Sequence, residues 1–298
     1  MKRTFAILLV IITFLLGMGL LFYPDFSRWW NSRIQHGLIR EYEDILESLD
    51  EEEVAEHFRR ARIYNNALSG LYIEDPFHIG SGAVLPPAEY METLNITGMD
   101  GYPMGHIEIP VISVHLPIFH TTTMAILDRG IGHIEGTSFP VGGPSTHSVL
   151  TGHSGLVHAR MFTDLEEVRL GDQFFITILD YRLAYEVDDI NIVLPHEIET
   201  LRIFEGEDHV TLVTCTPYAI NTHRLLVRGR RIPYEPGMAE EIIPRQIEPI
   251  NWRLVIVAVL VIMFLLILIV YKKKERKDAQ ELRRARLRKL VVDRGNGQ

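Results

Sequence analysis

The chain has 298 residues, with 30 Lys+Arg against 39 Asp+Glu and 47% hydrophobic residues, a mixture too apolar for a disordered or collagen-like protein. Charge is unevenly spread: residues 272–298 hold 11 Lys/Arg and 4 Asp/Glu, a net +7, which leaves −16 for residues 1–271. An acidic body excludes nucleic acid as a partner, because neutralising phosphates takes a basic surface, and a single cysteine, Cys215, excludes an internal disulfide and a Cys-rich zinc site.

The first element is an unbroken uncharged run from Phe5 to Tyr23, just after Lys2 and Arg3. It is long enough to cross about 30 Å of hydrocarbon as a helix and longer than the apolar stretch of a signal peptide, so a retained anchor is favoured over a cleaved leader. From Arg33 to Leu68 the apolar residues Ile34, Leu38, Tyr42, Ile45, Leu49, Val54, Phe58 and Leu68 recur at mostly helical spacing among many acids. That pattern predicts one or two amphipathic helices packed on the main domain. Asp50 followed by Glu51, Glu52 and Glu53 marks a break and an N-cap, with acids where the helix dipole favours them, and Gly70 is the stop.

Residues 71–93 hold Pro76, Gly80, Gly82, Pro86 and Pro87 without a sustained period and read as a loop or linker. From Gly105 the chain turns to short β-rich segments: HIEIPVISVHLPIF, HSVLTGH, DQFFITIL, LAYEVDDINIVLP, HVTLVTC and HRLLVRGR. Many short strands predict a closed or nearly closed β-barrel, since closure removes exposed edges. One helix is expected within that run, at ARMFTDLEEVRLGD (residues 159–172). A second uncharged run of similar length, Leu254 to Tyr271, precedes Lys272, Lys273, Lys274, Arg276 and Lys277, the pattern of a stop-transfer segment. The positive-inside rule then puts both termini in the cytoplasm and the intervening domain outside. Arg283, Arg284, Arg286, Arg288 and Lys289 fall on an expected helix, either along anionic headgroups or as a solvated tail.

An outward-facing domain lies in a disulfide-permissive compartment, so a lone cysteine is either buried and inert or kept free to react. Cys215 ends one β-rich run, and Arg224 opens the next, nine residues on. A guanidinium at that place favours a thiolate and offers a fork of donors to a developing oxyanion. The alternative is a structural cysteine beside a surface arginine. A thiol nucleophile also needs a proton donor for its leaving group. Among 13 histidines, His153 stands in a Gly-flanked turn at the end of a β-run, with His120, His133, His147, His158 and His223 as rivals.

The segments TLVTC (ending at Cys215), TPYAINTHRLLVRG (with Arg224), LTGHSG (around His153), LPIFH, GIGHIEGTSFPVGG and MFTDLEEVRLGD resemble those of the sortases, over about His106 to Arg231. The resemblance implies an eight-stranded sortase barrel and selects His153 as general acid and base, Cys215 as nucleophile and Arg224 as stabiliser of substrate and oxyanion. EDPFHIG resembles the lid of class C, pilus-assembling sortases. It implies that Asp75, Pro76 and Phe77 cover the site, with Asp75 paired to Arg224 and Phe77 against Cys215. Phe77 stands where other members often carry tryptophan.

The implied activity is transpeptidation of a Leu-Pro-x-Thr-Gly-like sorting signal onto a pilin lysine, at the plasma membrane of a Gram-positive bacterium. The implied partners are pilin or other surface-protein substrates and the lipid membrane, and no cofactor, metal or nucleotide is implied. The expected organisation is a cytoplasmic start (1–4), a first span (5–23), N-terminal helices (24–70), lid and linker (71–93), catalytic barrel (94–236), linker (237–253), second span (254–271) and basic tail (272–298). Competing readings are a housekeeping sortase that attaches proteins to peptidoglycan and a non-catalytic membrane-tethered adhesion or scaffold module. A papain-like protease fits poorly, because nothing here resembles the helix-borne cysteine of that fold.

Overall fold

The computed structural model describes residues 2–68, 88–197, 199–245 and 252–295. The contacts divide the chain into two units, one of residues 1–21 with 247–298 and one of residues 22–246. Helix α1 runs Lys2–Leu46 and α2 runs Glu51–Ala67. The break between them falls at Asp50 as expected. Its carboxylate accepts from the Glu53 backbone N–H at 2.8 Å, while the Glu53 carboxylate accepts from the Asp50 N–H at 3.2 Å. This reciprocal capping box satisfies donors that a helix start leaves open.

The second unit is built on eight strands: β1 (Pro103–Ile109), β2 (Val114–His120), β3 (Ile131–His133), β4 (Thr146–Thr151), β5 (Gln173–Ile178), β6 (Tyr181–Val193), β7 (Asp208–Thr216) and β8 (His223–Ile232). They close in the order β1-β2-β3-β4-β7-β8-β6-β5. The β2–β3 and β4–β7 pairs are parallel and the others antiparallel. The fold is therefore the expected mainly β, closed eight-stranded barrel. Its filling includes the fully buried Ile107, Phe119, Phe174, Ile176, Tyr185, Leu212 and Val227.

The N-terminal helices are fastened to this barrel by buried polar contacts. In α1 the Tyr42 hydroxyl donates to the Met104 carbonyl at 2.9 Å and accepts from the Leu179 N–H at 2.8 Å. In α2 the Asn65 amide donates to the Phe139 carbonyl at 3.1 Å and accepts from the Phe139 N–H at 2.7 Å, as a neighbouring strand would. Such paired groups are what makes a polar side chain tolerable in a core.

Three expectations change. Residues 159–172 form no α-helix. They hold a single 3-10 turn, Thr163–Glu167, because Met161 takes a left-handed φ of 43° and Ala159, Met161, Phe162, Leu165 and Val168 are all buried. Their spacing records burial of an irregular segment. Two of the expected linkers contain short helices, α3 (Ala88–Glu92) and α5 (Met238–Glu241), and a further short helix, α4 (Met124–Leu127), precedes β3. Finally, two flanking spans were expected. Among the described residues one helical segment is long and apolar enough to cross a membrane: Ile256–Lys274, within α6 (Trp252–Gly295), with a mean hydropathy of 2.6 and none of it buried. In that unit Phe14 stacks on Phe264 with ring centroids 4.4 Å apart.

Three buried histidines couple the barrel to pH. Burial holds His133 down to about 3 and His120 and His147 down to about 4. Each is fixed as a neutral tautomer: His133 Nε2 donates to the Ser138 carbonyl at 2.9 Å, His120 Nε2 to the Thr93 carbonyl at 2.7 Å, and His147 Nδ1 to the Arg202 carbonyl at 2.8 Å. An unfolded histidine takes up a proton near pH 6.5 and these do not, so stability is complete above about pH 6.5 and falls as pH drops toward 4. At pH 5 the three together remove up to about 6 kcal/mol, at 1.36 kcal/mol per unit of difference. We expect the Tm of the protein to fall by at least about 10 °C between pH 7.5 and 5, above the range where most carboxylates titrate. A Tm that is flat across that interval would contradict the assignment.

Candidate active site

The register of three neighbouring strands builds the site. Between β7 and β8, Cys215 stands directly opposite Arg224, two rungs from the pair Val213 and Leu226. Val213 and Leu226 pack with Ile134, Val149 and Leu201 in a buried apolar cluster, so this rung rests on a rigid floor. Both Cys215 and Arg224 are 7% exposed, enough desolvation to strengthen any charge interaction between them.

The parallel pair β4–β7 supplies the third group. Its register runs without a shift from Thr146 opposite Asp208 to Thr151 opposite Val213. The ladder does not stop at the strand end. The Gly152 N–H donates to the Val213 carbonyl at 3.1 Å, and the Thr214 hydroxyl donates to the Gly152 carbonyl at 2.7 Å. These bonds bring the turn that carries His153 to the end of β7 that carries Cys215. The three residues singled out from the sequence thus stand at the same end of three neighbouring strands, His153 just past β4, Cys215 near the end of β7 and Arg224 near the start of β8.

Local sequence explains why each holds its place. Gly152 is required by packing, since a Cβ there would lie 2.6 Å from Ile131 Cδ1 and 3.0 Å from Phe162 Cδ2. The His153 carbonyl accepts from the Phe162 N–H at 3.0 Å, which ties the turn to the irregular segment beneath it. Gly155, at φ +79°, lies against the ring of Tyr218, so the β7–β8 loop closes over the turn that carries His153. In that loop Arg224 Nη1 donates to the carbonyls of Asn221 and His223 at 3.2 and 3.1 Å, which fixes the guanidinium plane. Nearby, the Thr216 hydroxyl donates to Glu166 at 2.5 Å.

Burial lowers His153 below the ordinary histidine value, and the Asp128 carboxylate opposes that shift. Neutral imidazole is therefore favoured at rest, and the imidazolium, once formed, is the stronger acid. Four of the five rival histidines are held otherwise. His120, His133 and His147 are held by the carbonyls described above, and His223 Nδ1 lies 2.9 Å from the neighbouring Thr222 hydroxyl. Asp128 was missed in the sequence, because it lies in no quoted motif and reaches the site only through the fold, and Tyr218, inside the TPYAINTHRLLVRG segment, was given no role there. Asp75, Pro76 and Phe77 lie outside the described residues.

Residues 107–232 match the sortase domain model. Sortase C1 of Streptococcus agalactiae is 42% identical, with 68% of this chain and 99% of that one aligned at a TM-score of 0.61. The chain belongs to the sortase family. Sortase C of Streptococcus pneumoniae (41% identical, 66% of this chain and 97% of that one, TM-score 0.60) and sortase C-1 of Actinomyces oris (45%, 61% and 99%, TM-score 0.56) are further likenesses, and together they place this sortase in class C. Curated relatives include sortase A of Bacillus anthracis, 27% identical over 126 residues, and sortase D of Bacillus subtilis, 27% identical over 135 residues. Those matches take in 42% and 44% of this sortase, which spans 58% and 65% of the relatives' own lengths.

Proposed function

We propose that this sortase is a cysteine transpeptidase that cleaves a Leu-Pro-x-Thr-Gly-like sorting signal between Thr and Gly and passes the acyl group to a lysine of a pilin subunit. The observation that carries the reading is the pairing of Cys215 with Arg224 at the barrel end to which the Gly152 bonds bring the His153 turn. His153 takes the Cys215 thiol proton, the resulting thiolate attacks the Thr carbonyl carbon, and Arg224 donates to the tetrahedral oxyanion. As the intermediate collapses, the C–N bond breaks and His153 gives its proton to the departing Gly amine, which leaves a thioester on Cys215. The lysine amine then attacks that thioester, His153 takes the amine proton, and the thiolate leaves. One amide replaces another, so the step needs little driving force. The lowered basicity of His153 suits both halves, as a stronger acid toward the leaving amine and a neutral acceptor for the incoming one.

Class C membership supports pilin as the substrate class, and the Streptococcus pneumoniae relative has pilin substrate specificity. The segment 256–274 would anchor the enzyme in the plasma membrane of a Gram-positive bacterium, with Lys272 to Lys277 on the cytoplasmic side and the barrel outside. There it meets substrates as they emerge. Asp75, Pro76 and Phe77 would form a lid, the Asp75 carboxylate toward Arg224 and the Phe77 ring shielding Cys215 from water and oxidant. A variant with Asp75→Ala and Phe77→Ala is expected to react with a thiol label at Cys215 several-fold faster than the parent; equal rates would remove the lid from the proposal.

The function is tested by incubating the full-length protein with candidate pilins that carry a sorting signal. A ladder of covalent oligomers, with mass spectrometry locating a Thr-to-lysine isopeptide bond, is the expected result. Transfer to a peptidoglycan stem peptide with no pilin ladder would instead establish the housekeeping reaction, and a chain that forms no thioester with any sorting-signal peptide would overturn the enzyme reading.

A further inference from the structure

A second cluster of reactive side chains lies on β1 and β2, three to five strands from β7 round the barrel. His106 and Glu108 occupy alternate positions on β1 and so share a face, and Glu108 stands directly opposite His115 on β2. The tight connection through the 3-10 turn Pro110–Ile112, with Ser113 at a left-handed φ of 54°, holds the two strands in that register. One ligand atom from each of the three residues lies within 4.8 Å of the others. His106 Nε2 is 3.6 Å from Glu108 Oε1. His36, on α1 and exposed, faces the same group from the other side, its ring centroid 5.3 Å from that of His115, which is in turn 4.9 Å from that of His106.

Those spacings match metal coordination. A metal–nitrogen bond of about 2.05 Å puts a ring centre about 3.2 Å from the ion, so two tetrahedral imidazoles have centroids about 5.2 Å apart. The surroundings also prepare the donors. His106 Nδ1 and His115 Nε2 are buried with no hydrogen-bond partner among the described residues, an arrangement that native proteins mostly avoid. Arg182 Nη2 takes Glu108 Oε2 at 2.8 Å and lies over the rings of Phe175 and Tyr234. Arg182 thereby orients the carboxylate with its other oxygen, Oε1, toward the imidazoles, as outer-shell partners of metal ligands do.

We propose that His106, Glu108 and His115, with His36 as the fourth ligand, bind a zinc-class divalent transition-metal ion that pins helix α1 to the β1–β2 hairpin. Nitrogen-rich donors with one carboxylate select such an ion over Mg2+ or Ca2+, which prefer all-oxygen shells. The site is structural, since Cys215 lies across the barrel and its chemistry requires no metal.

The test uses the full-length protein without a histidine tag, in detergent micelles and stripped with a chelator. Titrating in ZnCl2 should raise the Tm saturably, by roughly 5 to 10 °C at a hundredfold excess over Kd, while MgCl2 and CaCl2 leave it unchanged. His36→Ala should weaken binding about tenfold or more, and Glu108→Gln and His115→Gln should abolish the shift. Because a variant could lose stability for other reasons, CoCl2 added to the unaltered protein provides a second readout: the intense visible d–d band of tetrahedral Co2+, displaced by Zn2+ at one equivalent. No Tm rise with Zn2+, an equal rise with Mg2+, a shift that survives Glu108→Gln and His115→Gln, or the absence of the cobalt band would each overturn the assignment.

Discussion

Cys215→Ala should leave the barrel folded and stop the reaction completely, with turnover of a sorting-signal peptide falling by at least about 10⁴-fold, as for removal of other covalent nucleophiles. The change removes only a sulfur from a position that is 7% exposed, so the Tm should move by no more than about 5 °C. The decisive measurement is the mass of the protein after incubation with the peptide: an acyl adduct on the parent, none on the variant. A Cys215→Ala enzyme that still builds ladders would rule out the thioester route, and with it the meaning given to the Cys215–Arg224 pairing.

Arg224→Lys should be nearly as damaging, for a different reason. Lysine retains the positive charge, so a purely electrostatic role would survive the exchange. The guanidinium is planar, however, and Nη1 is already held by the Asn221 and His223 carbonyls at 3.2 and 3.1 Å. That tether aims the rest of the fork, which a flexible ammonium cannot reproduce. Loss of a fixed oxyanion donor costs about 10²–10³-fold in kcat, or about 2.7–4 kcal/mol. We expect a fall of that size in kcat for the peptide, with KM changed much less. Near-normal kcat in the lysine variant would make Arg224 a structural residue.

The sequence carried the local parts of this site better than the distant ones. A nine-residue gap between two β-rich runs already implies a hairpin, and that hairpin sets Cys215 opposite Arg224. Nothing local joins His153 to Cys215. Their proximity depends on a parallel contact between β4 and β7, strands with two others between them in the chain, which leaves no periodic trace; the Gly-flanked turn suggested His153 among thirteen histidines, and the resemblance of LTGHSG selected it. The N-cap at Asp50 was legible because its chemistry is contained in four consecutive residues. Strand β3, three residues long, was too short to show alternation, so the count of eight strands also came from the family likeness. The stretch from Ala159 to Asp172 misled because buried apolar residues in an irregular turn mimic helical spacing, while the left-handed Met161 left no mark in the sequence.

The wide separation in sequence between β4 and its partner β7 also governs the order of assembly. The β7–β8 hairpin closes early, because its partners are neighbours in the chain, whereas bringing Gly152 beside Val213 requires a long loop to be closed first. A folding chain therefore passes through states in which Cys215 has Arg224 opposite it but His153 is not yet brought near. The proposed acyl transfer would wait on completion of the cylinder, so a half-folded molecule would not trap a substrate it could not release.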